Sequence, residues 1–303
     1  MFLAISGSQM GTGLGIAQSG LCRMSTPADH AANSPTSTVL WRDLVPLTNR
    51  EKISELFLST PWLLASLYCY QSGHLVLGAA CSFYVFLTGL RQSHGAQHYS
   101  LGFPKLFQDA FMFVLSLCML GSMHAVQTTH VHHHRHCLDE HDSEGWTARL
   151  KWWEAIAVGP LFLLRLHLSA WQLATSTKRR WIFAELAGIA GVVLAAISMP
   201  GLRGLQWHVL AMLTGECLTG FFAVWTVHHG CDPHHTLART QRGRCVNWLG
   251  CSMFYHAEHH LFPQVPTCHL GILAARLDEA DSRFAHQQVI EVNTHRRPSP
   301  NAV

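Results

Sequence analysis

Charge is scarce in this chain of 303 residues: Asp, Glu, Lys and Arg together make up 13% of it, against roughly 25% in soluble domains. A shortage of that size argues for a membrane protein. The balance is also even, since 21 Lys and Arg face 18 Asp and Glu for a net charge of +3. That excludes a strongly basic nucleic-acid binder and an acidic disordered tail. Paired cysteines are missing as well. Of the ten cysteines, Cys69, Cys81, Cys118 and Cys217 lie in apolar stretches, and Cys231, Cys245, Cys251 and Cys268 form no C-x-x-C. Neither a secreted disulfide framework nor a zinc knuckle fits, and reduced thiols are expected. The opening Met1–Ile5 lacks the basic and long apolar regions of a cleaved signal peptide. Gly11, Gly13 and Gly15 follow no strand and precede no acidic residue about 20 positions on, so no dinucleotide-binding loop is indicated.

Hydropathy organises what remains. Residues 1–40 are rich in Gly, Ser, Thr, Ala and Pro without periodicity, which predicts a disordered N-terminal tail, with Met24 as a plausible second start. A membrane domain is expected over 41–280 and a C-terminal tail over 281–303. Apolar segments fall at about 56–72, 74–90, 106–126, 152–173, 181–199 and 205–227, where a bilayer core requires about 20 apolar residues per helix. Two tight breaks, at Gln71-Ser72-Gly73 and at Pro200–Gly204, predict two antiparallel hairpins. Trp181, Trp207 and Trp225 stand near the ends of the second pair, as an aromatic belt requires. Arg165 and His167 near the centre of 152–173 are costly in hydrocarbon, so that segment is read as interfacial.

Histidine is abundant where ordinary charge is not. The chain has 23, of which 19 lie between His94 and His269. Three clusters stand out: His94 with His98, His130 with His133 and His134, and His256 with His259 and His260. Spacings of three and four residues stack side chains along one face of an α-helix, so each cluster aims two or three imidazoles at one point. His132 is two positions from His130 and should face away. Neutral imidazole ligates Fe, Zn, Cu or Ni, and a tetrahedral zinc saturates at four ligands, so eight convergent rings require more than one ion.

If the clusters share one site they lie on one side of the membrane. The stretch 106–126 must then be interfacial, re-entrant or folded onto the bundle, and 152–173 must not cross. Four spanning helices result. Lys151, Lys178, Arg179, Arg180, Arg239, Arg242 and Arg244 fall on the cluster side, and the opposite loops carry only Arg203. The clusters and the N-terminus are therefore expected on the cytoplasmic side. The fold class is all-α: an integral membrane four-helix bundle with a cytoplasmic helical cap carrying the histidine boxes.

The ordered boxes H-x-x-x-H, H-x-x-H-H and H-x-x-H-H, with His256-Ala257-Glu258-His259-His260-Leu261-Phe262-Pro263 followed by Val265-Pro266, resemble the membrane-bound fatty-acid desaturase and hydroxylase superfamily, which includes carotenoid ketolases. The resemblance covers about residues 40–280. It implies a non-haem di-iron site with two Fe ions, O₂ as co-substrate, and oxidation of an unactivated C–H bond in a fatty-acyl chain or a carotenoid. It also implies a separate ferredoxin-like or cytochrome-like electron donor, since no haem or Rossmann-like redox domain is visible. Members usually add a ligand just past the last span. Phe222-x-x-Trp225-x-x-His228 occupies that place and resembles the ketolase branch; His228 is favoured, with His229 adjacent. The implied ligand set is His94, His98, His130, His133, His134, His228, His256, His259 and His260.

Other polar residues have supporting readings. His234 and His235 follow Asp232-Pro233 and are placed in a loop, and His124 is read as a core or interface histidine. Glu258 points off the metal face, where it could orient a ligand histidine. Asp139, Glu140 and Asp142 could do the same or form a solvated loop. Glu216, in mid-span, either lends polarity to a substrate tunnel or serves as a protonated structural group. Leu261-Phe262-Pro263 ranks acyl desaturation ahead of hydroxylation or ketolation. A histidine-rich metal transporter would place its ligands at the midplane of interrupted helices. A zinc hydrolase would need fewer ligands and an open position.

Overall fold

The computed structural model describes residues 39–233, 236–285 and 289. The tail expected over 1–40 lies almost wholly outside the described residues, as do His234 and His235. What is described is all-helical; the sole β-bridge among those residues joins Asp232 to Thr236.

Helix α1 (Asn49–Leu56) opens on a reciprocal cap, in which Thr48 accepts from the Glu51 N–H and Glu51 accepts from that of Thr48. A turn follows at 57–59, and α2 (Thr60–Gln71) starts with Pro61 in its first turn. The single helix expected over 56–72 is thus broken, because proline tolerates a helix start but not an interior position. At 12 residues, α2 is about 18 Å long, short of the roughly 30 Å of a hydrocarbon core. Gly73, at φ +82°, makes the predicted turn into α3 (Leu75–Gln97).

Helix α4 (Lys105–Met119) and α5 (Met123–His136) form a pair bent by 111°. The stretch 106–126 is therefore not one straight helix. Leu120 is left-handed at φ 62°, and Ser122 caps α5 by accepting from the Ala125 N–H. The bend is pinned to α8 (Ser176–Ser198): Glu185 accepts from the Ser122 hydroxyl at 2.5 Å and the His124 N–H at 3.1 Å.

The segment 152–173 divides at Val158 into α6 (Trp152–Ala157) and α7 (Gly159–Leu173). Phe162, Leu166 and Ala170 are buried while Leu161, Leu164, Leu168 and Trp171 are exposed, the stripe of a one-sided helix. Arg165 lies over the Trp146 ring rather than in hydrocarbon alone. Helix α9 (Arg203–Cys217) continues through a π-helical turn at Gly220–Trp225 to His228. Short helices α10 (Arg244–Leu249), α11 (His256–Leu261) and α12 (Leu270–Ala280) follow.

Three described helices are long and apolar enough to cross a membrane: α3, α8, and α9 through His228. The two hairpin turns meet at one end, where the Gln71 side-chain amide donates to the Gly201 carbonyl at 3.1 Å and accepts from the Gly204 N–H at 3.0 Å. At the other end Gln92 donates to the carbonyls of Glu55 and Leu56. The chain from Leu56 to Gln71 thus runs from the level of Gln92 to the opposite turns. Packing also continues past 280: Phe284 joins the cluster around Leu44 and Leu277, and the Val289 N–H donates to the Thr240 carbonyl.

Candidate metal centre

Four helix ends converge on the face away from the hairpin turns. His94 leaves the last turn of α3 and His98 caps it; His130, His133 and His134 line one face of α5; His228 ends α9; and His256, His259 and His260 fill α11. The sequence spacing works as expected, because residues three and four apart share a helix face. His132 is outside the constellation and stacks on His136.

Eight of the nine rings fall into two adjoining groups, and His256 lies beside the second. In the first, one nitrogen from each of His94, His98, His130, His134 and His259 lies within 4.8 Å of every other. Its Nε2 contacts are 2.9 Å for His94–His259, 2.9 Å for His259–His134 and 3.2 Å for His134–His130. In the second, His133, His228 and His260 are grouped with Cys137. His228 Nε2 lies 3.2 Å from that of His133 and 3.0 Å from that of His256, which is 3.2 Å from that of His260.

His228, not His229, enters the cluster. The His228 Nδ1–H donates to the Leu237 carbonyl at 2.7 Å, which turns Nε2 inward. His229 bonds the Ala148 carbonyl and stacks on Trp225. The π-helical turn just before these residues resets which of the two faces inward, a feature the sequence does not announce.

The donor chemistry fits cations. His133 is held through Nδ1 by Asp142 at 2.8 Å and His130 through Nδ1 by Glu144 at 3.4 Å. With its hydrogen on Nδ1, His228 presents an Nε2 lone pair to His133, whose imidazole, against the effect of burial, is pushed up to about 10 by Asp142 and Cys137. His98 Nε2 is buried without a hydrogen-bond partner. The His133 and His228 nitrogens, 3.2 Å apart, are satisfied by a shared proton or by a metal ion that both ligate. Metal–nitrogen bonds of about 2.0–2.1 Å at angles of about 90–110° separate neighbouring donors by about 2.8–3.4 Å, and the contacts above match. Burial first, and neighbouring imidazoles second, push His98, His134, His256, His259 and His260 well below the ordinary imidazole value, so these rings are neutral donors at pH 7.

The carboxylates sort differently from expectation. Burial would raise Asp142, but His133 and the N–H groups of Leu138 and Gly145 outweigh it and hold the carboxyl at about 2. Asp139 pairs with half-buried His136 and Glu140 with exposed His141 instead. Glu144, which sequence reasoning missed, reaches His130 because Asp142 gathers the N–H groups of Leu138, Glu144 and Gly145 into a compact loop. Glu258 does not orient an imidazole: it accepts from Thr240 and pairs with Arg242, which also clamps Asp278 of α12. Glu216 lies against Gly121 at the α4–α5 bend, where an added Cβ would sit 2.5 Å from its Oε2. His124 is buried between Glu185 and Asp109 and stacks on Trp181, a core histidine.

An apolar groove of about 460 Å³ runs between α3 and α9, lined by Tyr70, Ala79, Phe83, Phe86, Trp207 and Met212 among others. Phe86 is two turns below His94, about 12 Å along the helix.

A family model described as Fatty acid desaturase matches residues 72–289. The chain belongs to the fatty acid desaturase family. All nine converging imidazoles fall inside the match. Membership makes the protein an oxidoreductase of the desaturase and hydroxylase type, membrane-integral and acting on lipid. No curated protein matches the chain.

Proposed function

We propose that this desaturase-family protein introduces a double bond into a fatty-acyl chain, with two iron ions held by His94, His98, His130, His133, His134, His228, His256, His259 and His260. The observation that carries the reading is the pair of adjoining, buried donor groups whose Nε2 atoms approach one another to 2.9–3.2 Å. One vicinal pair of C–H bonds, O₂, two electrons and two protons give an alkene and two waters. When bound, the iron pair supplies O₂ activation and hydrogen abstraction. The chain's own residues fix the imidazoles, through Asp142, Glu144 and the Leu237 carbonyl, and exclude water from a buried site. An approach error of about 1 Å costs on the order of a hundredfold in rate, so placement of the lipid methylene selects the product.

The groove between α3 and α9 is suited to an extended apolar chain below the cluster. We assign four passes, with the broken α1–α2 segment as the first, and place the cap on the cytoplasmic side from the Lys and Arg of the cluster end. Electrons come from a separate ferredoxin-like or cytochrome-like carrier. A hydroxylase or ketolase of the same family is the second reading, favoured by the Phe222-x-x-Trp225-x-x-His228 motif. Donors gathered at helix ends rather than at mid-helix count against a transporter, and nine imidazoles count against a single hydrolytic zinc.

Lipid and pigment profiling of a host expressing the chain, beside a His259→Ala control, tests the assignment. A new unsaturated acyl chain absent from the control supports it. A new alcohol or ketone selects the second reading, and zinc in place of iron in the purified protein overturns both.

A further inference from the structure

Two consecutive residues just before the third histidine box hold left-handed backbone that side chains disfavour: Cys251 at φ 54° and Ser252 at φ 62°. The first has a local cause. Helix α10 ends in a cap where the Cys251 N–H donates to the Trp248 carbonyl at 3.2 Å and the Ser252 N–H to the Asn247 carbonyl at 2.7 Å, an ending that ordinarily places glycine where Cys251 stands. The cap leaves Ser252 unexplained, and its left-handed turn leads the chain onward to Tyr255 and α11.

The peptide between the two residues is held from both sides. Its N–H is that of Ser252, taken by Asn247, and its carbonyl is that of Cys251, which accepts from Arg91 Nη1 at 2.9 Å. The peptide is planar, so ψ of Cys251 and φ of Ser252 set the direction of that carbonyl, and a fixed donor on it fixes both turns. Arg91 is itself fixed. Its guanidinium grips the Glu55 carboxylate with two bonds, Nε to Oε2 at 3.1 Å and Nη2 to Oε1, and both side chains are largely buried. It stands three residues before His94 on α3, on the same helix face.

We propose that Arg91 is a positioning residue, which sets the third box against the first by holding the Cys251–Ser252 peptide in its left-handed turn. This rests on the reading that the boxes hold metal. Contacts from within the cap keep α11 in place there: the Ala257 N–H donates to the Arg239 carbonyl, and Glu258 pairs with Arg242. Neither reaches α3, whereas the Arg91 bond does. The contact it serves is His94 with His259, whose Nε2 atoms are 2.9 Å apart. The left-handed well is disfavoured by about 5- to 30-fold for each such residue, so without the guanidinium the turn relaxes and α11 is no longer aimed at His94.

A double-mutant cycle on iron affinity tests this without relying on turnover, using the full-length protein in detergent and competition with a chelator. Arg91→Gln is expected to weaken iron by about tenfold or more. Glycine adopts left-handed backbone without penalty, so in a Cys251→Gly, Ser252→Gly background the loss caused by Arg91→Gln should shrink to less than about threefold. An ion pair that only fastened α3 to α1 would cost the same factor in both backgrounds. Equal losses overturn the proposal and leave the metal reading standing, as does an Arg91→Gln protein with wild-type affinity. A wild-type protein that binds no iron overturns both. Should Arg91→Gln fail to fold, Arg91→Lys carries the same cycle, because it keeps a cation beside Glu55 but loses the fork that reaches Glu55 and Cys251 together.

Discussion

His133 and His228 face each other Nε2 to Nε2 across 3.2 Å, each with its Nδ1 engaged elsewhere, by Asp142 for one and by the Leu237 carbonyl for the other. One proton satisfies both nitrogens at that distance, and a metal ion ligated by both would take its place. The relationship also joins α5 to the end of α9, so the pairing depends on both helices keeping their places.

The adjacent histidines provide the sharpest discrimination. His228→Ala should lower bound iron and abolish product, because it removes a nitrogen 3.0 Å from that of His256 and 3.2 Å from that of His133. His229→Ala should retain the iron, since its ring bonds the Ala148 carbonyl outside the cluster. Elemental analysis of the two purified variants decides the matter, and equal iron loss in both would refute the assignment.

Orientation of the imidazoles is testable separately from ligation. Asp142→Asn keeps the size of the side chain but weakens the hold on His133 Nδ1. Loss of such a partner typically costs 10- to 100-fold in metal affinity. Competition with a chelator should show a shift of that order for Asp142→Asn and a smaller one for Glu144→Gln, whose contact is 3.4 Å. No shift in either would mean that the ring orientations are set by packing alone.

The boxes are legible because helical spacing of three and four residues is a local property. The break before Pro61 could be anticipated from proline's missing N–H, yet hydropathy averaged over 56–72 hides it. Glu144 and the choice of His228 are not local. Glu144 arrives through a loop that turns at Leu138, φ 63°, and His228 is aimed after a π-helical turn that leaves no mark in composition. Glu258 illustrates the opposite error: its position between box histidines suggests imidazole support, but Arg242 and Thr240, distant in the expected order of events, claim both of its oxygens.

Acid should destabilise the fold from the ordinary imidazole value downward. His256, His259 and His260 are held well below about 6.5 in the folded protein by burial and by one another. Below that pH the unfolded chain binds protons that the folded box refuses, so stability falls as pH drops and is regained above it. Each ring contributes a slope of about 1.4 kcal/mol per pH unit, roughly 4 kcal/mol per unit for the three. Thermal unfolding in detergent between pH 7.5 and pH 5.5 should show a steep fall in midpoint on the acid side. A flat profile would show that the three rings are protonated as readily in the folded protein as in the unfolded chain.

The last prediction concerns a contact that has no side chain to yield. Gly159 opens α7 where it crosses the end of α9, and a Cβ there would lie 1.8 Å from the Cys217 carbonyl oxygen. Backbone cannot rotate away as a side chain can, so Gly159→Ala must separate α7 from α9. Overpacking of this kind costs about 1–3 kcal/mol, occasionally more. Because the displaced carbonyl is eleven residues before His228 on the same continuous helix, the strain should also reach the second nitrogen group. Gly159→Ala should therefore lower the unfolding midpoint and loosen iron together, while Gly191→Ala, with nothing within 4 Å of its Cβ position, should leave both unchanged. Differential scanning of both variants with iron analysis checks the pair, and a Gly159→Ala protein as stable as the wild type would mean that the two helices do not approach this closely.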